Sequence, residues 1–339
     1  MYELIGANPS PYSRKLRAIL RYRRLPHIWR LRRPAMSAEI EAVRPKLLPI
    51  LRFPDGVYRV DSTPLAHELE ARHAERSIIP PDPADAFVCH LIEDYADEWA
   101  TKWMFHHRWK DDATALWAAS WIAQDTLPAP QGAQGQSFAR FFHDRQRGRM
   151  ALVGSAPATA PLIEASYRRA LRVLGAQLGG ERYLFGTRPS LADFALYGQL
   201  TQLTIDPWPL SILRKEAPLL EGWVIDLDDA SGVEGEWQPQ AAWATDTRKA
   251  LLSIIAAEYL PFLDANAVAL KAGEKQLHVQ IDGQDYTQET FAYQGKCYAE
   301  ILRRWQALPQ AACASLTPLF AETGVLPFLA PSTAASSSA

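Results

Sequence analysis

The sequence predicts an α/β domain at the N-terminus, followed by a region built from helices. Strand and helix patterns alternate over residues 2–76, and mixed strands with helices on their faces are typical of α/β domains. Closely spaced prolines over 79–83 then indicate a linker, because prolines end helices and stiffen connections. From residue 84 the pattern becomes helical, with a stripe of large apolar residues at every fourth position: Phe87, Leu91, Tyr95, Trp99 and Trp103.

Composition and charge exclude several classes of protein. The chain has 339 residues, enough for two domains, and its 48% hydrophobic and 22% charged residues are ordinary for a globular protein. A net charge of −2 argues against a general binder of polyanions such as nucleic acid, and no apolar run is long enough to span a bilayer. The three cysteines are far apart and form no CxxC motif, so they indicate neither a disulfide framework nor a zinc site. We therefore expect a cytoplasmic protein.

The first stretch, Tyr2–Leu20, predicts a short strand, a loop and then a helix. Ser10 is in the position of an N-cap, and Pro11 follows at the first helical position, where its missing N–H costs nothing. A hydroxyl at a helix N-terminus lies beside unpaired N–H groups that favour an anion. The alternative interpretation is that Ser10 only caps the helix.

The rest of the first domain is predicted from its turn and cap residues. Leu48-Pro49 precedes a strand, Asp55-Gly56 indicates a hairpin turn, and Asp61-Ser62 indicates the start of another helix, with Ser62 as its cap. A strand over 27–31 and a short helix over 37–43 complete this part of the chain.

The region after the linker is predicted to be mostly helical. Ser190, with Asp193 three positions later, has the form of a capping box. Leu277–Tyr286 alternates around an Asp-Gly turn, which indicates a hairpin, and the Ser- and Ala-rich residues 331–339 indicate disorder. The predicted helices after the first long one cover 113–125, 137–149, 161–178, 246–269 and 296–308.

Taken in order, these motifs resemble the glutathione transferase superfamily. Ser10-Pro-Tyr-Ser13, Leu48-Pro49 and Asp61-Ser62 resemble the thioredoxin-like domain of that family, and 183–194 resembles the folding motif of its helical domain. The resemblance implies an α/β thioredoxin-like N-terminal domain followed by an all-α glutathione-transferase-type C-terminal domain.

The domain boundaries follow from this resemblance and from the length of the chain. We expect a glutathione-binding domain over 1–78 and a helical domain that forms the electrophile site over 84–225. Residues 226–330 exceed a minimal transferase, and we expect this extension to pack on the helical domain. Residues 331–339 form the predicted disordered tail.

The resemblance makes Ser10 the catalytic hydroxyl, with Ser13 as a reserve donor one helical turn further on. A transferase must ionise the glutathione thiol, whose pKa is near the cysteine value of about 8.5. A charge-assisted hydrogen bond of about 1.5–3 kcal/mol can lower such a pKa by about 1–2 units. Serine at position 10 cannot form a mixed disulfide, which argues against thiol–disulfide exchange as the reaction.

The resemblance also assigns residues that bind glutathione. Leu48-Pro49 corresponds to the cis-proline element, whose backbone pairs with an extended peptide. Asp61 corresponds to the acidic residue that faces the glutamyl amine, and Ser62 to the serine that receives the glutamyl carboxylate at a helix end. Lys46 is one residue away from the usual lysine position, which Leu47 occupies, so the contact to the glycyl carboxylate stays open.

The end of the long helix corresponds to the wall of the electrophile pocket in this family. On this basis Trp99, Trp103, His106 and His107 are candidates for that pocket, and packing in the core is the alternative for these rings. The adjacent histidines lie about 100° apart on a helix, so a shared metal is not expected.

A basic run without acidic residues extends from Arg14 to Arg33. A solvated face is the favoured interpretation, and a field that attracts anionic glutathione is the alternative. Nucleic acid ranks third, because no aromatic residues alternate with these charges.

These observations favour a glutathione transferase that activates the thiolate for attack on a small hydrophobic electrophile, as in detoxification. Glutathione is then a co-substrate, and no metal, nucleic acid or membrane is expected. The competing hypothesis is a non-catalytic binding or assembly module on the same fold, because fold does not determine function. The long extension favours that competitor, since it can cover the pocket or the usual dimer face. Whether a homodimer forms and which electrophile is used stay open.

Overall fold

The computed structural model describes residues 1–178, 181–238 and 245–329. The chain begins with a four-stranded sheet in which β1 is parallel to β2 and antiparallel to β3, and β3 is antiparallel to β4. The sheet order is β2-β1-β3-β4, with strands at Tyr2–Gly6 (β1), His27–Leu31 (β2), Ile50–Arg52 (β3) and Tyr58–Val60 (β4).

Two helices, Pro11–Tyr22 (α1) and Ser62–Arg72 (α2), complete this domain. Their buried leucines pack against the sheet around Leu4 and Leu51. The predicted turn between β3 and β4 is present, and Gly56 adopts there the positive φ of 86° that glycine tolerates best. The α/β prediction is therefore confirmed for this part of the chain.

The helix predicted over 37–43 is wrong. The structure has a 3₁₀ turn at Pro34–Met36, followed by turns. Met36 and Ile40 pack on the sheet residues Ile5 and Ile50, so tertiary contacts hold this segment against the sheet without a regular helix.

A long helical segment follows the linker in three parts: Pro83–Tyr95 (α3), a π-helical turn at Ala96–Ala100, and Thr101–Trp109 (α4). The predicted apolar stripe is buried along its whole length, with Phe87 at 3% exposure and the other four residues at 1% or less. The stripe therefore belongs to the core of the helical region.

Six further helices build the rest of the helical domain. The capping box of Ser190 and Asp193 is confirmed at the start of α8. Gly198 lets α8 approach α1, because a Cβ atom at this position would lie 2.8 Å from the carbonyl oxygen of Pro11. The six helices are Asp112–Thr126 (α5), Ala133–Arg147 (α6), Ala160–Leu178 (α7), Leu191–Ile205 (α8), Pro207–Glu216 (α9) and Leu219–Asp228 (α10).

The remaining described part contains four helices and one hairpin. Its first helix packs on α7, and its second packs on the hairpin and on the third. The last helix was not predicted, because Pro318 inside it suggests a break. These elements are Asp246–Ile254 (α11), a π-helical turn at Ile255–Tyr259, Leu260–Ala272 (α12), Gln276–Ile281 (β5), Gln284–Glu289 (β6), Ala292–Gln306 (α13) and Gln310–Thr323 (α14).

The predicted disordered tail, 331–339, lies outside the described residues. Within the described ranges, Asp246–Ala272 is the one helical segment long and apolar enough to cross a membrane by length and composition. Since 61% of its most apolar window is buried inside the protein, it has the character of a core helix.

Candidate active site

Ser10 lies at the end of the loop that joins β1 to α1. Its Oγ accepts a hydrogen bond from the backbone N–H of Ser13 at 3.2 Å, which makes Ser10 the N-cap of α1 as predicted. Its hydroxyl is partly exposed and lies on a large cavity. Ser13 is fully buried, and its Oγ accepts from the backbone N–H of Ala7 at 3.3 Å. The structure therefore brings Ser10, but not Ser13, to the cavity.

The loop that carries Ser10 is held by residues of the helical domain. Asp125 accepts two hydrogen bonds from Asn8, at 2.5 Å from the side chain and 3.1 Å from the backbone N–H. Gln202 donates to the carbonyl oxygen of Asn8 at 3.0 Å, and Arg108 donates to that of Pro9 at 3.3 Å. Both domains are therefore needed to place the Ser10 hydroxyl.

Arg108 is buried beneath this loop. Its Nε donates to Asp206 at 2.7 Å and its Nη2 to the side-chain oxygen of Gln202 at 3.0 Å. Its guanidinium also lies over the ring of Trp121, 5.5 Å from the centroid. Burial raises the pKa of Asp206, and the charge of Arg108 opposes that shift. A buried, paired arginine of this kind fixes the backbone around it.

The cavity has a volume of about 580 Å³ and lies between the two domains. One wall comes from the first domain and is partly polar, with side chains or backbone of Ala7, Pro9, Ser10, Arg32, Ser37, Ile40, Glu41, Val43, Lys46, Leu47, Leu48 and Ile50. The opposite wall comes from α4, α5 and α6 and is largely aromatic, with Met104, Phe105, Arg108, Trp109, Ile122, Thr126, Phe138, Phe141, Phe142, Arg145 and Gln146. Such a cavity suits a ligand with one anionic and one apolar part.

The Leu48-Pro49 element lies at the polar wall. Its peptide bond is cis, as the resemblance implies, and Leu48 lines the cavity. Lys46 and Leu47 both line the cavity as well, and the ammonium of Lys46 lies 3.3 Å from a carboxylate oxygen of Glu41. The side chain of Lys46 is 62% exposed, so it is free to turn towards a ligand.

Asp61 and Ser62 lie at the N-terminus of α2 and are not among the residues that line this cavity. Asp61 is the N-cap, with a positive φ of 79°, and Ser62 is the first helical residue, so the prediction of Ser62 as the cap is off by one. Ser62 is 4% exposed. Tyr293 of α13 donates a hydrogen bond to a carboxylate oxygen of Asp61 at 2.8 Å. The C-terminal elements therefore reach the position that the resemblance assigns to the glutamyl end of glutathione.

A buried charge cluster lies behind the start of α2. The Nζ of Lys15 lies 2.5 Å from Glu93 and 2.6 Å from Asp97, and Thr63 donates to Glu93. Burial raises the pKa of Asp97 to about 7, although Lys15 opposes the shift. Burial also disfavours ionised Glu93, but Lys15 and His90 together outweigh it and hold the pKa of Glu93 well below its usual range. The cluster joins α1, α2 and α3 without lining the cavity.

The four aromatic and histidine residues predicted for the electrophile pocket do not line the cavity. Trp99 and Trp103 are each 1% exposed, and the Nε1 of each donates to the hydroxyl of Ser166, at 3.0 and 2.8 Å. They continue the buried stripe of α3, which is the physical reason why they face the core. The assignment of these two side chains to the pocket is therefore corrected.

The two histidines lie on the same side as the tryptophans. His106 is within hydrogen-bond distance of Ser155 at 2.8 Å and of Glu164 at 3.2 Å. His107 packs on Tyr167, and neither of its ring nitrogens forms a hydrogen bond within the described ranges. Burial lowers the pKa of His107 to about 3. Across 1–178, 181–238 and 245–329, no group of three or more His, Cys, Asp or Glu could hold a metal ion.

The cavity wall is formed instead by neighbours that the sequence analysis did not single out. Met104, Phe105, Arg108 and Trp109 lie between or beyond the predicted residues on the same helix. The apolar stripe could have identified them. Residues 95, 99 and 103 recur at every fourth position and face the core, so residue 107 is expected to face the core as well. The residues on the other side of the helix then face the cavity.

The basic run is neither a solvated face nor an open field. Most of its charges are paired across element boundaries: Arg14 and Arg21 contact Asp228, Lys15 contacts Glu93 and Asp97, Arg23 contacts Glu70, Arg24 contacts Glu234, and Arg30 contacts Glu3 and Glu39. Arg32, by contrast, lines the cavity. The acids that complete these pairs are distant in sequence, so a local reading could not find them.

Comparison with known families agrees with this architecture. The model of the glutathione S-transferase N-terminal domain matches residues 4–77, and that of the glutathione S-transferase C-terminal domain matches 143–225. The chain belongs to the glutathione transferase superfamily, with its thioredoxin-like domain followed by a helical domain. No curated protein sequence matches the chain.

Several solved structures are similar to this chain. A glutathione S-transferase of Methylobacterium radiotolerans, in complex with glutathione sulfonate, is 22% identical over 70% of this chain and 97% of its own, with a TM-score of 0.43. A glutathione S-transferase of Rhodospirillum rubrum is 18% identical over 73% of this chain and 99% of its own, with a TM-score of 0.43. A glutathione S-transferase of Methylobacillus flagellatus with glutathione bound is 18% identical over 67% of this chain and 98% of its own, with a TM-score of 0.38.

Proposed function

We propose that this protein binds glutathione and activates its thiolate for attack on a small hydrophobic electrophile. The observation that supports the proposal is the Ser10 hydroxyl, which caps α1 and lies on a cavity whose opposite wall is aromatic. Membership of the glutathione transferase superfamily makes glutathione the expected anionic ligand.

The hydrogen bonding of Ser10 is compatible with thiolate activation. Its Oγ already accepts the N–H of Ser13, so its own proton remains available to donate to a ligand sulfur. The N-terminus of α1 adds a partial positive charge at the same place. Together these groups favour the thiolate and can lower the thiol pKa by about 1–2 units.

The polar wall supplies groups for the rest of the tripeptide. The backbone at Leu48 can pair with the cysteinyl residue as in β-strand addition, and Arg32 and Lys46 carry the charges that suit the glycyl carboxylate. Asp61 and Ser62 would hold the glutamyl amine and carboxylate. The helix end at Ser62 favours an anion there.

The aromatic wall would receive the electrophile. Phe138, Phe141 and Phe142 of α6 lie on the same wall as Phe105 and Trp109, and the rings of Phe142 and Trp109 pack with their centroids 5.9 Å apart. Large rings of this kind bind apolar groups well. We infer a cytoplasmic detoxification role, with which the three unpaired cysteines agree.

The test measures binding and ionisation separately. The chain is first applied to immobilised glutathione, and the ultraviolet absorbance of the bound thiolate is then titrated with pH. Ser10→Ala should retain glutathione while the thiol pKa rises by about 1–2 units towards its free value. Ser13→Ala is the matched control, because this hydroxyl is buried and should leave the titration unchanged.

Two results would contradict the proposal. A larger effect of Ser13→Ala would move the role one turn along the helix. Absence of retention for both the unaltered chain and Tyr293→Ala would remove glutathione as the ligand. Calorimetry on an Asp61→Ala, Ser62→Ala double variant tests the glutamyl end, and unchanged affinity would exclude these two residues from it.

A non-catalytic binding or assembly module is the second candidate, and one contact favours it. Tyr293 donates a hydrogen bond to a carboxylate oxygen of Asp61, so α13 lies at the position expected for the glutamyl end of glutathione. If this contact closes the site, the unaltered chain should pass through immobilised glutathione, and Tyr293→Ala should be retained. Retention of both proteins would instead favour the enzyme.

A further inference from the structure

A second cavity, of about 290 Å³, lies beside α2 and shares no lining residue with the cavity at Ser10. It is enclosed by α2, the interdomain linker, the first turns of α3, the start of α8 and the end of α13. Most of its wall is apolar, from Ile79, Pro83, Ala86, Phe87, Leu191 and Leu308. Four basic side chains also line it: His67, His90, Arg303 and Arg304.

Within this cavity, His90 is a buried polar group whose hydrogen bonding is incomplete. It is 4% exposed, and its Nδ1 lies 3.4 Å from a carboxylate oxygen of Glu93. Neither Nδ1 nor Nε2 forms a hydrogen bond within the described ranges, and Nε2 can donate to a carboxylate when it carries a ring proton. A buried imidazole nitrogen without a partner loses the free energy of its hydration, which a ligand at this place would restore.

Arg304 brings a positioned charge to the same cavity. Its Nε donates to Glu300 at 2.8 Å, and its Nη2 lies 3.2 Å from the Nε2 of His67. Burial and the charge of Arg304 lower the pKa of His67 to about 4, so His67 is neutral and accepts this hydrogen bond. The guanidinium is thereby held at the cavity by α2 and α13 together.

The balance of charge and the wall chemistry define the ligand. Glu300 pairs with both Arg303 and Arg304, which leaves one positive charge on this trio. A single carboxylate would neutralise it, whereas an inorganic anion would leave the apolar walls unfilled. The volume is at the lower end of the range of small-molecule pockets.

We propose that this cavity binds a small organic carboxylate, with its anionic group between Arg304 and His90 and its apolar part against Phe87 and Leu308. The site is formed partly by α13, which lies beyond both stretches that match the transferase domains. It is separate from the cleft at Ser10 and does not depend on the function proposed for that cleft.

The test uses benzoate and hexanoate as probes on the full chain, with hexanol and inorganic phosphate as controls. Calorimetry should show saturable binding of at least one carboxylate, with both controls at least tenfold weaker. In ¹H–¹³C spectra, the ring signal of His90, assigned by its loss in His90→Gln, should shift with the same saturation curve.

Variants then locate the site. Arg304→Gln should weaken carboxylate binding at least tenfold, because it removes a charge-assisted hydrogen bond. Arg303→Gln is the comparison variant: it removes the same net charge from the trio, but the side chain of Arg303 is 63% exposed, whereas Arg304 is held at the cavity by His67, so Arg303→Gln should weaken binding less than Arg304→Gln does. Arg145→Gln alters the cleft at Ser10 and should have no effect.

Several outcomes would overturn the proposal. These are no saturable binding of either carboxylate, equal binding of hexanol or of phosphate, or a loss with Arg145→Gln in place of Arg304→Gln. If Arg304→Gln lowers the melting temperature without ligand, Arg304→Lys replaces it. Lysine keeps the charge but not the planar fork, so binding should weaken by an intermediate factor.

Discussion

The two faces of the helix from Trp99 to Trp109 have the same kind of residues and opposite environments. One face carries Trp99 and Trp103, which pack on α7 and on the C-terminal elements. The other carries Phe105 and Arg108, which line the cleft beside Ser10. The comparison shows that richness in aromatic and basic residues does not identify a binding wall. The phase of each residue on the helix does.

The largest effect on stability is expected from deleting the C-terminal elements, which cover the helix face that carries Trp99 and Trp103. Ending the chain at Gln238 deletes α11 to α14 and uncovers Trp99, whose Nε1 donates to Glu258 and whose ring lies 5.5 Å from that of Phe262. We expect loss of the cooperative thermal transition, because domain stability is only about 5–15 kcal/mol. A control that ends at Ala330 should melt as the full chain does.

Circular dichroism with heating, together with size-exclusion chromatography, makes this measurement. A shortened protein that stays soluble and monomeric with an unchanged melting temperature would contradict the dependence on the C-terminal elements. It would also favour those elements as a separate interaction module.

The next prediction compares one ring from each face. Trp103→Ala should cost about 3–5 kcal/mol of unfolding free energy, because it opens a cavity in the core. Phe105→Ala should cost much less, since this ring is only partly buried and borders open space. Denaturant unfolding measures both, and equal costs would remove the distinction between the faces.

Binding of an apolar fluorescent probe to the cavity at Ser10 tests the same two faces by affinity instead of stability. Phe105→Ala should weaken an apolar ligand of the cleft, while Trp103→Phe, a smaller change in the core, should not. A loss of binding with the core substitution alone would place the pocket on the face first predicted for it.

We expect acid to destabilise the protein through protonation of His107, which lies on the core face of this helix. Burial holds its folded pKa near 3, below the unfolded value of about 6.5, so the unfolded chain binds the extra proton between these values. Stability should therefore fall as the pH drops below about 6.5, by about 3 kcal/mol near pH 4. His107→Leu should flatten this part of the stability–pH curve. A curve of unchanged shape in the variant would show that another group causes the acid sensitivity.

The smallest effect is expected on the cleft side, at Asp125. Asp125→Ala removes two hydrogen bonds to Asn8 and should cost about 1–2 kcal/mol, because this contact is only partly buried. If the contact positions Ser10, the thiol pKa of bound glutathione should also rise, although less than with Ser10→Ala. An unchanged titration would limit Asp125 to a structural role.

Local sequence signals were sufficient for the fold but not for the aromatic wall of the cavity at Ser10. The cap at Ser10, the turn at Gly56 and the capping box at Ser190 each depend on neighbours within four residues, and each is present in the structure. The orientation of His106 and His107 depends instead on α7, more than 50 residues away. The resemblance to the family assigned the end of this helix to the pocket. Which of its side chains face the cavity depends on the position of each residue around the helix axis.

Long-range pairs account for the other differences. The basic run looked solvated because its carboxylate partners, such as Asp228, come from distant helices. Likewise nothing in the sequence around Asp61 indicated that Tyr293 contacts it. The assignments of Ser10, Leu48-Pro49, Asp61 and Ser62 to glutathione stay predictions, which the binding experiments test.

The anchoring of the Ser10 loop also sets an order of assembly during synthesis. Ser10 is synthesised well before Arg108, Asp125 and Gln202, which hold its loop. A nascent chain can build the four-stranded sheet before those partners exist, but it cannot seat the loop. The Ser10 hydroxyl is thus synthesised before the residues that position it, and the loop is anchored only when the helical domain is present.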